Sequence, residues 1–223
     1  MAWIINLETA STNCSVSIYQ GRDLRALRED PSPEYTHGEL LHVFMEEALK
    51  DAGLQASDLD AVAVRQGPGS YTGLRIGVAA AKGLCFALDL PLIAVPTLES
   101  MAAQLEIESG VLIPMLDARR MEVYAAVYDP DGKEVASTRA EVVTEDSFAS
   151  WAAAGPVHLL GNGAEKCREV LRHPNFRFHT ELQPSARELG LLAADLYEIG
   201  QIEDLAYFEP FYLKDFIVTK KKR

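Results

Sequence analysis

One stretch of the sequence is the most informative about the fold: Gly67-Pro68-Gly69-Ser70-Tyr71-Thr72-Gly73-Leu74-Arg75-Ile76-Gly77. An apolar run, Ala61–Arg65, precedes it, and a segment rich in Gly and Ala follows it as far as Leu88. This order predicts a strand, a tight turn and a helix. The stretch lacks the Gly-Lys-Ser/Thr ending of a phosphate-binding loop, and Pro68 provides no N–H donor. We therefore favour a turn into a closely packed helix over an anion site at the start of that helix.

Towards the N-terminus, the sequence predicts three strands joined by hairpins and then an amphipathic helix. Thr36 is followed three residues later by Glu39, which predicts a capping box, and Gly53 is the expected C-terminal cap. Between these signals, apolar residues recur every three or four positions, as on one face of a helix. The predicted elements are strands Ala2–Glu8, Ser15–Gln20 and Leu24–Arg28 and helix Thr36–Ala52.

Towards the C-terminus, the same order occurs a second time. Three strands in hairpin succession and then helix, strand and helix predict two ribonuclease-H-like α/β lobes with mixed sheets, as in the actin, hexokinase and Hsp70 superfamily. The alternative is a single doubly wound sheet with antiparallel edges. We place the lobes at residues 1–106 and 107–223, with a C-terminal tail that is free to return to the first lobe. The remaining predicted elements are strand Leu92–Val95, helix Leu98–Leu105, strands Val111–Leu116, Glu122–Tyr128 and Val135–Val143, helix Glu145–Ala152, strand Val157–Leu160, and helices Ala164–Arg172 and Ala186–Ile199.

The charge and cysteine content of the chain restrict its partners and its compartment. Its 223 residues include 21 Lys+Arg and 33 Asp+Glu, a formal charge of −12. Because the last four residues, Lys220–Arg223, carry +4, residues 1–219 carry −16 and repel nucleic-acid phosphates. Three separate cysteines without a CxxC pair predict reduced thiols in a cytoplasmic protein, and we expect neither a signal peptide nor a membrane span.

Two polar turns are candidates for binding a nucleotide. Actin-superfamily kinases carry an acid and small polar residues after their first strand, and they hold the adenosine at a glycine turn. At the first of these places the sequence has Glu8, where Asp is usual, with Thr9 and Ser11, and at the second it has Gly161 and Gly163. We prefer an ordinary polar hairpin and an ordinary glycine turn for these residues, and we expect no cofactor on this chain.

Metal-binding and catalytic side chains do not form a recognisable set. His37 and His42 are five residues apart on the predicted helix, whereas a metal-binding pair on one helix face needs a spacing of three or four. We find no Ser/His/Asp arrangement, and we predict no catalytic residue and no metal ligand. Solvent-exposed ion pairs at a hairpin account for the remaining charged cluster, which is Asp117, Arg119, Arg120 and Glu122.

Taken together, these motifs resemble those of the bacterial TsaB (YeaZ) family. The resemblance implies a two-lobed actin-like fold and a non-catalytic subunit of the complex that forms threonylcarbamoyladenosine in tRNAs reading ANN codons. It also implies pairing with a TsaD-like catalytic subunit, association with a TsaE-like ATPase, and a homodimer when the chain is alone. ATP and metal are expected on the partner subunits, and tRNA contact is expected through the complex. The matching segments are Ile4–Ile18, Gly67–Gly77, Ala81–Leu84, Val95–Glu99, Asp117–Tyr124, Gly161–Ala164 and Pro210–Lys214.

The resemblance implies that helices of the first lobe form the dimer interface. Such an interface buries about 800 Å² per partner. We expect Leu41→Glu or Ala81→Arg to abolish pairing and leave the fold intact, because an unpaired charge in an interface is costly. The expected interface residues are His37, Leu40, Leu41, Phe44, Met45, Ala48, Gly73, Gly77, Ala80, Ala81 and Leu84.

Two other function classes stay open from the residues alone. A small-molecule kinase of the actin superfamily requires an acid at each of two phosphate turns and measurable ATP turnover. A peptidase requires a metal or nucleophile set, which the sequence does not present.

Overall fold

A computed structural model of the chain describes residues 1–214, and the basic run Lys220–Arg223 lies outside this part. The described residues form two mixed five-stranded sheets. The strands of the first sheet are β1 Trp3–Glu8, β2 Cys14–Gln20, β3 Asp23–Asp30, β4 Ala61–Gly67 and β5 Leu92–Pro96. Those of the second are β6 Val111–Asp117, β7 Glu122–Tyr128, β8 Glu134–Val142, β9 Val157–Leu160 and β10 Phe176–His179. The strand orders are β3-β2-β1-β4-β5 and β8-β7-β6-β9-β10. In each sheet the three hairpin-connected strands are antiparallel and the last two are parallel to the first.

The helices are α1 His37–Ala52, α2 Tyr71–Leu88, α3 Thr97–Ala102, α4 Ala149–Ala154, α5 Asn162–Cys167 and α6 Ala186–Glu198. Helices α1, α2, α4 and α5 lie in the connections that lead to the parallel strands, whereas α3 joins the two sheets and α6 follows the last strand. The duplicated ribonuclease-H-like architecture predicted from the sequence is confirmed, and the single-sheet alternative is wrong. Within residues 1–214, no helix is both long and apolar enough to span a bilayer.

The helix ends agree only in part with the sequence signals. Gly53 has the left-handed conformation and caps α1 as predicted. The capping box at Thr36 is wrong: no side chain caps the helix, the Glu39 N–H donates to the Thr36 carbonyl oxygen at 2.9 Å, and the Thr36 hydroxyl donates to Asp30 Oδ2 at 2.8 Å. Helix α4 begins later than predicted because Phe148, at φ +61°, is left-handed and cannot lie inside a helix. The edge strand β10 was not predicted.

The lobes exchange helices across the division at residue 106. Helix α6, from the second half of the chain, packs on the first sheet, where Leu189 and Ala193 contact Ile4, Ile93 and other buried residues. Helix α3, from the first half, packs in the same way on the second sheet. Helices α1 and α2 cover the opposite face of the first sheet, and α4 and α5 that of the second. Each sheet is therefore buried on both faces, with one covering helix supplied by the other half.

Residues 203–214, which we call the C-terminal strap, return to the first lobe. The Glu203 N–H donates to Leu92 O at 2.8 Å, and Phe208 is buried in the core cluster to which α1 and α2 also contribute. Further along, the Phe211 N–H donates to Gln66 O at 2.8 Å. The strap thus crosses the parallel edge of the first sheet and ends beside the glycine-rich turn.

Candidate functional site

The acid at the end of β1 is paired inside the protein. The Glu8 and Arg65 side chains are fully buried, and the Arg65 Nε–H donates to Glu8 Oε2. The other carboxylate oxygen, Oε1, accepts from the Ala10 N–H at 2.6 Å. Because strands β1 and β4 are adjacent and parallel, their register places the two side chains together. Both oxygens of the acid at the first candidate phosphate turn are therefore engaged by the chain itself.

The Arg65 guanidinium also joins the segments that connect the lobes. One Nη donates to Ser100 Oγ in α3 and lies 3.5 Å from Pro96 O, and the other donates to Ser185 O at 3.1 Å. Ser185 is the N-cap of α6. One buried cation thus contacts β1 and the beginnings of both exchanged helices.

The duplication places a second acid at the equivalent turn of the second lobe. Strand β6 corresponds to β1, so Asp117 at its end is the counterpart of Glu8. Asp117 Oδ1 accepts from Lys166 Nζ and, at 2.7 Å, from the Arg119 N–H. From its charged neighbours in the sequence, Asp117 is assigned to a charged hairpin and not to a phosphate turn, although it ends the first strand of the second repeat. Both turns carry an acid, and in both the acid is bound by a cation of this chain.

Thr9 and Ser11 lie in the turn after Glu8 and are buried against the helices. A Cβ on Gly73 would overlap the Thr9 carbonyl oxygen, and one on Gly77 would overlap the Thr9 hydroxyl. The Ser11 carbonyl oxygen lies 2.7 Å from His37 Nε2. The two glycines therefore permit a close approach of α2 to this turn.

The glycine turn before α5 is closely packed. Gly161 has φ +91°, and a Cβ on it would overlap the Met101 side chain and lie 2.7 Å from the Met115 carbonyl oxygen. A Cβ on Gly163 would lie 2.9 Å from backbone atoms of Met115 and Leu116. Gly161 and Gly163 thus allow α5 and α3 to pack against β6.

The two histidines of α1 lie in different environments. His37 is buried, whereas His42 is exposed. Among residues 1–214, no group of three or more His, Cys, Asp or Glu side chains is placed to hold a metal ion.

The three cysteines are buried and are held in the thiol form. Burial raises the pKa of Cys14 to about 12, and the nearby charges of Asp30 and Glu8 raise it further. Burial also raises the pKa of Cys85 to about 11 and raises that of Cys167. A nucleophilic cysteine requires a lowered pKa, so none of the three is suited to peptidase chemistry.

The structure corrects the expected partner surface on α1 and α2. Leu41 and Ala81 are 0% exposed in the core of the first lobe, so they cannot lie on a partner-facing surface. The expectation that Leu41→Glu or Ala81→Arg leaves the fold intact is therefore wrong, because either change buries an unpaired charge. The other expected interface residues that are buried within the lobe are His37, Ala48, Gly73 and Gly77. Those that remain partly exposed are Leu40, Phe44, Met45, Ala80 and Leu84.

A different set of residues faces outward from α2. Ala79, Gly83, Phe86 and Ala87 are exposed and follow one another at spacings of four, three and one, which places them on one side of the helix. Phe86 is 84% exposed, and nothing lies within 4 Å of the position of a Cβ on Gly83. We call these four residues the outer face of α2. The sequence pattern does not reveal this face, because small apolar residues occupy both sides of the helix and the buried side cannot be told from the exposed one.

Comparison with known proteins places the chain in a family. The family model described as TsaD, tRNA N6-adenosine threonylcarbamoyltransferase, matches residues 33–219. The tRNA threonylcarbamoyladenosine biosynthesis protein TsaB of Escherichia coli is 30% identical over 98% of this chain and 97% of its own length. TsaB of Bacillus subtilis is 46% identical over 80 residues, which are 36% of this chain and 35% of that protein.

Solved structures agree with this relationship. YeaZ from Pseudomonas aeruginosa superposes with a TM-score of 0.81 at 27% identity, covering 96% of this chain and all of that one. A Clostridium difficile activator of 2-hydroxyisocaproyl-CoA dehydratase, solved with bound ADPNP, gives a TM-score of 0.51 at 15% identity, covering 89% of this chain and 97% of that one, and shows the fold alone. With the family model and a relative matched over nearly its whole length, the chain belongs to the TsaB (YeaZ) family, within the wider group that the TsaD model describes.

Proposed function

We propose that this chain is a non-catalytic subunit of the cytoplasmic complex that forms N6-threonylcarbamoyladenosine in tRNAs reading ANN codons. The full-length match to a TsaB protein supports a role in the biosynthesis of threonylcarbamoyladenosine in tRNA. One observation carries the non-catalytic role. The acid at the first turn, Glu8, is fully buried and ion-paired with Arg65 of the same chain. A kinase of this fold needs such an acid free to engage Mg²⁺ and phosphate.

The partner in this proposal is a TsaD-like catalytic subunit, which supplies the metal, while a TsaE-like ATPase joins the complex and supplies ATP hydrolysis. Without its partner the chain pairs with a second copy of itself. The match of the TsaD model to this chain supports pairing of related subunits through equivalent helices. The net charge of −12 supports leaving most phosphate contacts to the partner.

The pairing surface in this proposal is the outer face of α2 with the exposed edge of α1. Phe86 is a large exposed aromatic side chain of the kind that anchors interfaces, and Gly83 permits a neighbouring helix to approach closely. Val43, on the neighbouring helix α1, is a second exposed apolar side chain, at 46%. Together with the five partly exposed residues given above, this area suits an interface that buries about 800 Å² per partner.

The test uses Phe86→Glu, with Val135→Glu as its matched control. Val135 is 43% exposed on the edge strand β8 of the other lobe, so both variants place a charge at a solvent-exposed position. Each is mixed with the catalytic and ATPase subunits, complex formation is followed on a sizing column, and the tRNA is digested to measure threonylcarbamoyladenosine.

We expect Phe86→Glu to lose the complex and most of the modified nucleoside, and Val135→Glu to retain both. A complete complex with Phe86→Glu would place the pairing surface elsewhere. Nucleoside formation that is independent of the wild-type chain would refute the proposed role. ATP turnover by the isolated chain would favour the kinase alternative instead.

A further inference from the structure

The hairpin between β6 and β7 has an unusual backbone. Arg119 and Arg120 have φ values of +70° and +53°, a region that side chains other than Gly, Asn and Asp seldom occupy. The next hairpin of the same sheet uses Gly132, at φ +79°, for the same purpose. Strained residues of this kind tend to persist where their side chains have a function. Two consecutive arginines in this conformation are therefore better explained by a binding function than by the needs of the fold.

The charges around this hairpin leave both guanidinium groups uncompensated. The acids of the hairpin, Asp117 and Glu122, are paired with Lys166 and Lys214 respectively. Arg119 and Arg120 are exposed, and within residues 1–214 their side chains form no hydrogen bond or ion pair. Four cations therefore face two acids, a local excess of +2 in a chain whose formal charge is −12. This excess makes the hairpin tip an attractive surface for an anion.

The chemistry favours the backbone phosphates of RNA as that anion. Guanidinium groups match phosphate oxygens and hold them with two parallel hydrogen bonds. The carboxylates beside the hairpin, Asp117 and Glu122, each contact a lysine, so neither is an unpaired acid that would repel a phosphate. Both arginines lie at the exposed tip of a hairpin, where a long polyanion can reach them.

We propose that Arg119 and Arg120 form a contact for tRNA backbone phosphates in the assembled complex. This inference rests on the proposed function and adds a direct RNA contact from a chain whose body is acidic.

The test replaces both arginines in R119N/R120N, because Asn tolerates the left-handed conformation. The control, R172N/R177N, removes two exposed arginines elsewhere in the second lobe and changes the net charge equally. Binding of the complex to unmodified tRNA is measured from low to high KCl concentration, and thermal unfolding of the isolated chain checks the fold.

We expect R119N/R120N to weaken tRNA binding about tenfold at 0.1 M salt and to lower the salt slope by about 1 to 2, at an unchanged or higher melting temperature. The control should match the wild type. The inference would be overturned if R119N/R120N had the same salt slope of tRNA binding as the control. It would also be overturned if R119N/R120N lost ATP binding while its tRNA binding stayed unchanged. Nucleoside formation that does not depend on the wild-type chain would overturn the proposed function as well, so the two failures are distinguishable.

Discussion

At the residue scale, the Glu8–Arg65 pair determines whether the turn after β1 has an acid available to bind a ligand. Two unlike charges without solvent contact are stable only while each keeps its partner and its other hydrogen bonds. Arg65 has additional acceptors in Ser100 and Ser185, and Glu8 has the Ala10 N–H. The pair is therefore a fixed part of the interior, in the place where related folds present an available acid.

Removing one partner should be severely destabilising. We expect Arg65→Met to lower the free energy of unfolding by about 3–5 kcal/mol, because Glu8 is left buried without its cation. Arg22→Met is the control, since its pair with Asp195 has side chains 58% and 50% exposed. Removing that exposed pair should cost no more than about 1 kcal/mol. Urea unfolding measures both, and similar losses for the two variants would contradict the account of the buried pair.

At the element scale, helix α2 presents two different glycine-containing sides. Gly73 and Gly77 face the turn at Thr9, where a Cβ would overlap other atoms. Gly83 faces outward, and no atom lies within 4 Å of the position of its Cβ. The same residue type thus permits close packing inside the lobe and leaves a flat surface outside it.

The two sides should respond oppositely to the same substitution. Gly73→Ala should lower the free energy of unfolding by about 1–3 kcal/mol, because the new methyl group overlaps a backbone carbonyl that cannot rotate away. Gly83→Ala should raise it by about 0.5–1 kcal/mol, because alanine loses less backbone entropy in a helix. Chemical denaturation of the isolated chain at low protein concentration measures both. Stabilisation by both alanines would show that α2 does not press against the Thr9 turn.

The sequence predicts the helices and strands better than it predicts which residues their side chains contact. Spacing of three and four identified α1 and placed Leu41 on its apolar face, but only the packing shows that Leu41 is buried inside the lobe and does not face a partner. The capping box failed because the Thr36 backbone is not extended, with φ −96° and ψ 2°, and the Glu39 N–H donates to the Thr36 carbonyl oxygen. The partner of Glu8 was missed because Arg65 is 57 residues away, and adjacency of two parallel strands is a property of the folded sheet.

At the scale of the whole molecule, the exchange of α3 and α6 joins the two lobes into one unit. Without α6, the face of the first sheet around Ile4 and Ile93 would lose its cover, and without α3 the second sheet would lose its cover in the same way. Exposing either apolar face is costly. Arg65 reinforces the connection, since it contacts residues at the beginnings of both helices.

The lobes should therefore unfold in a single transition, and the two tryptophans allow this to be tested. Trp3 lies in β1 of the first lobe and Trp151 in α4 of the second, so Trp151→Phe and Trp3→Phe each leave a reporter in one lobe. Within each variant, we expect the urea midpoint from tryptophan fluorescence to equal the midpoint from circular dichroism. The circular dichroism midpoints of the two variants also show how much each Trp→Phe change alters stability, so that the two fluorescence midpoints can be compared.

Adding Leu98→Ala should shift both tryptophan transitions equally, by about 2–5 kcal/mol, because Leu98 is fully buried and α3 covers the second sheet although it belongs to the first half of the chain. Lobes that were joined only by flexible connections would respond differently, with the Trp151 transition moving and the Trp3 transition remaining in place. Two separate midpoints would therefore contradict the single unit. Coincident shifts would mean that a partner bound to the outer face of α2 stabilises the second lobe together with the first.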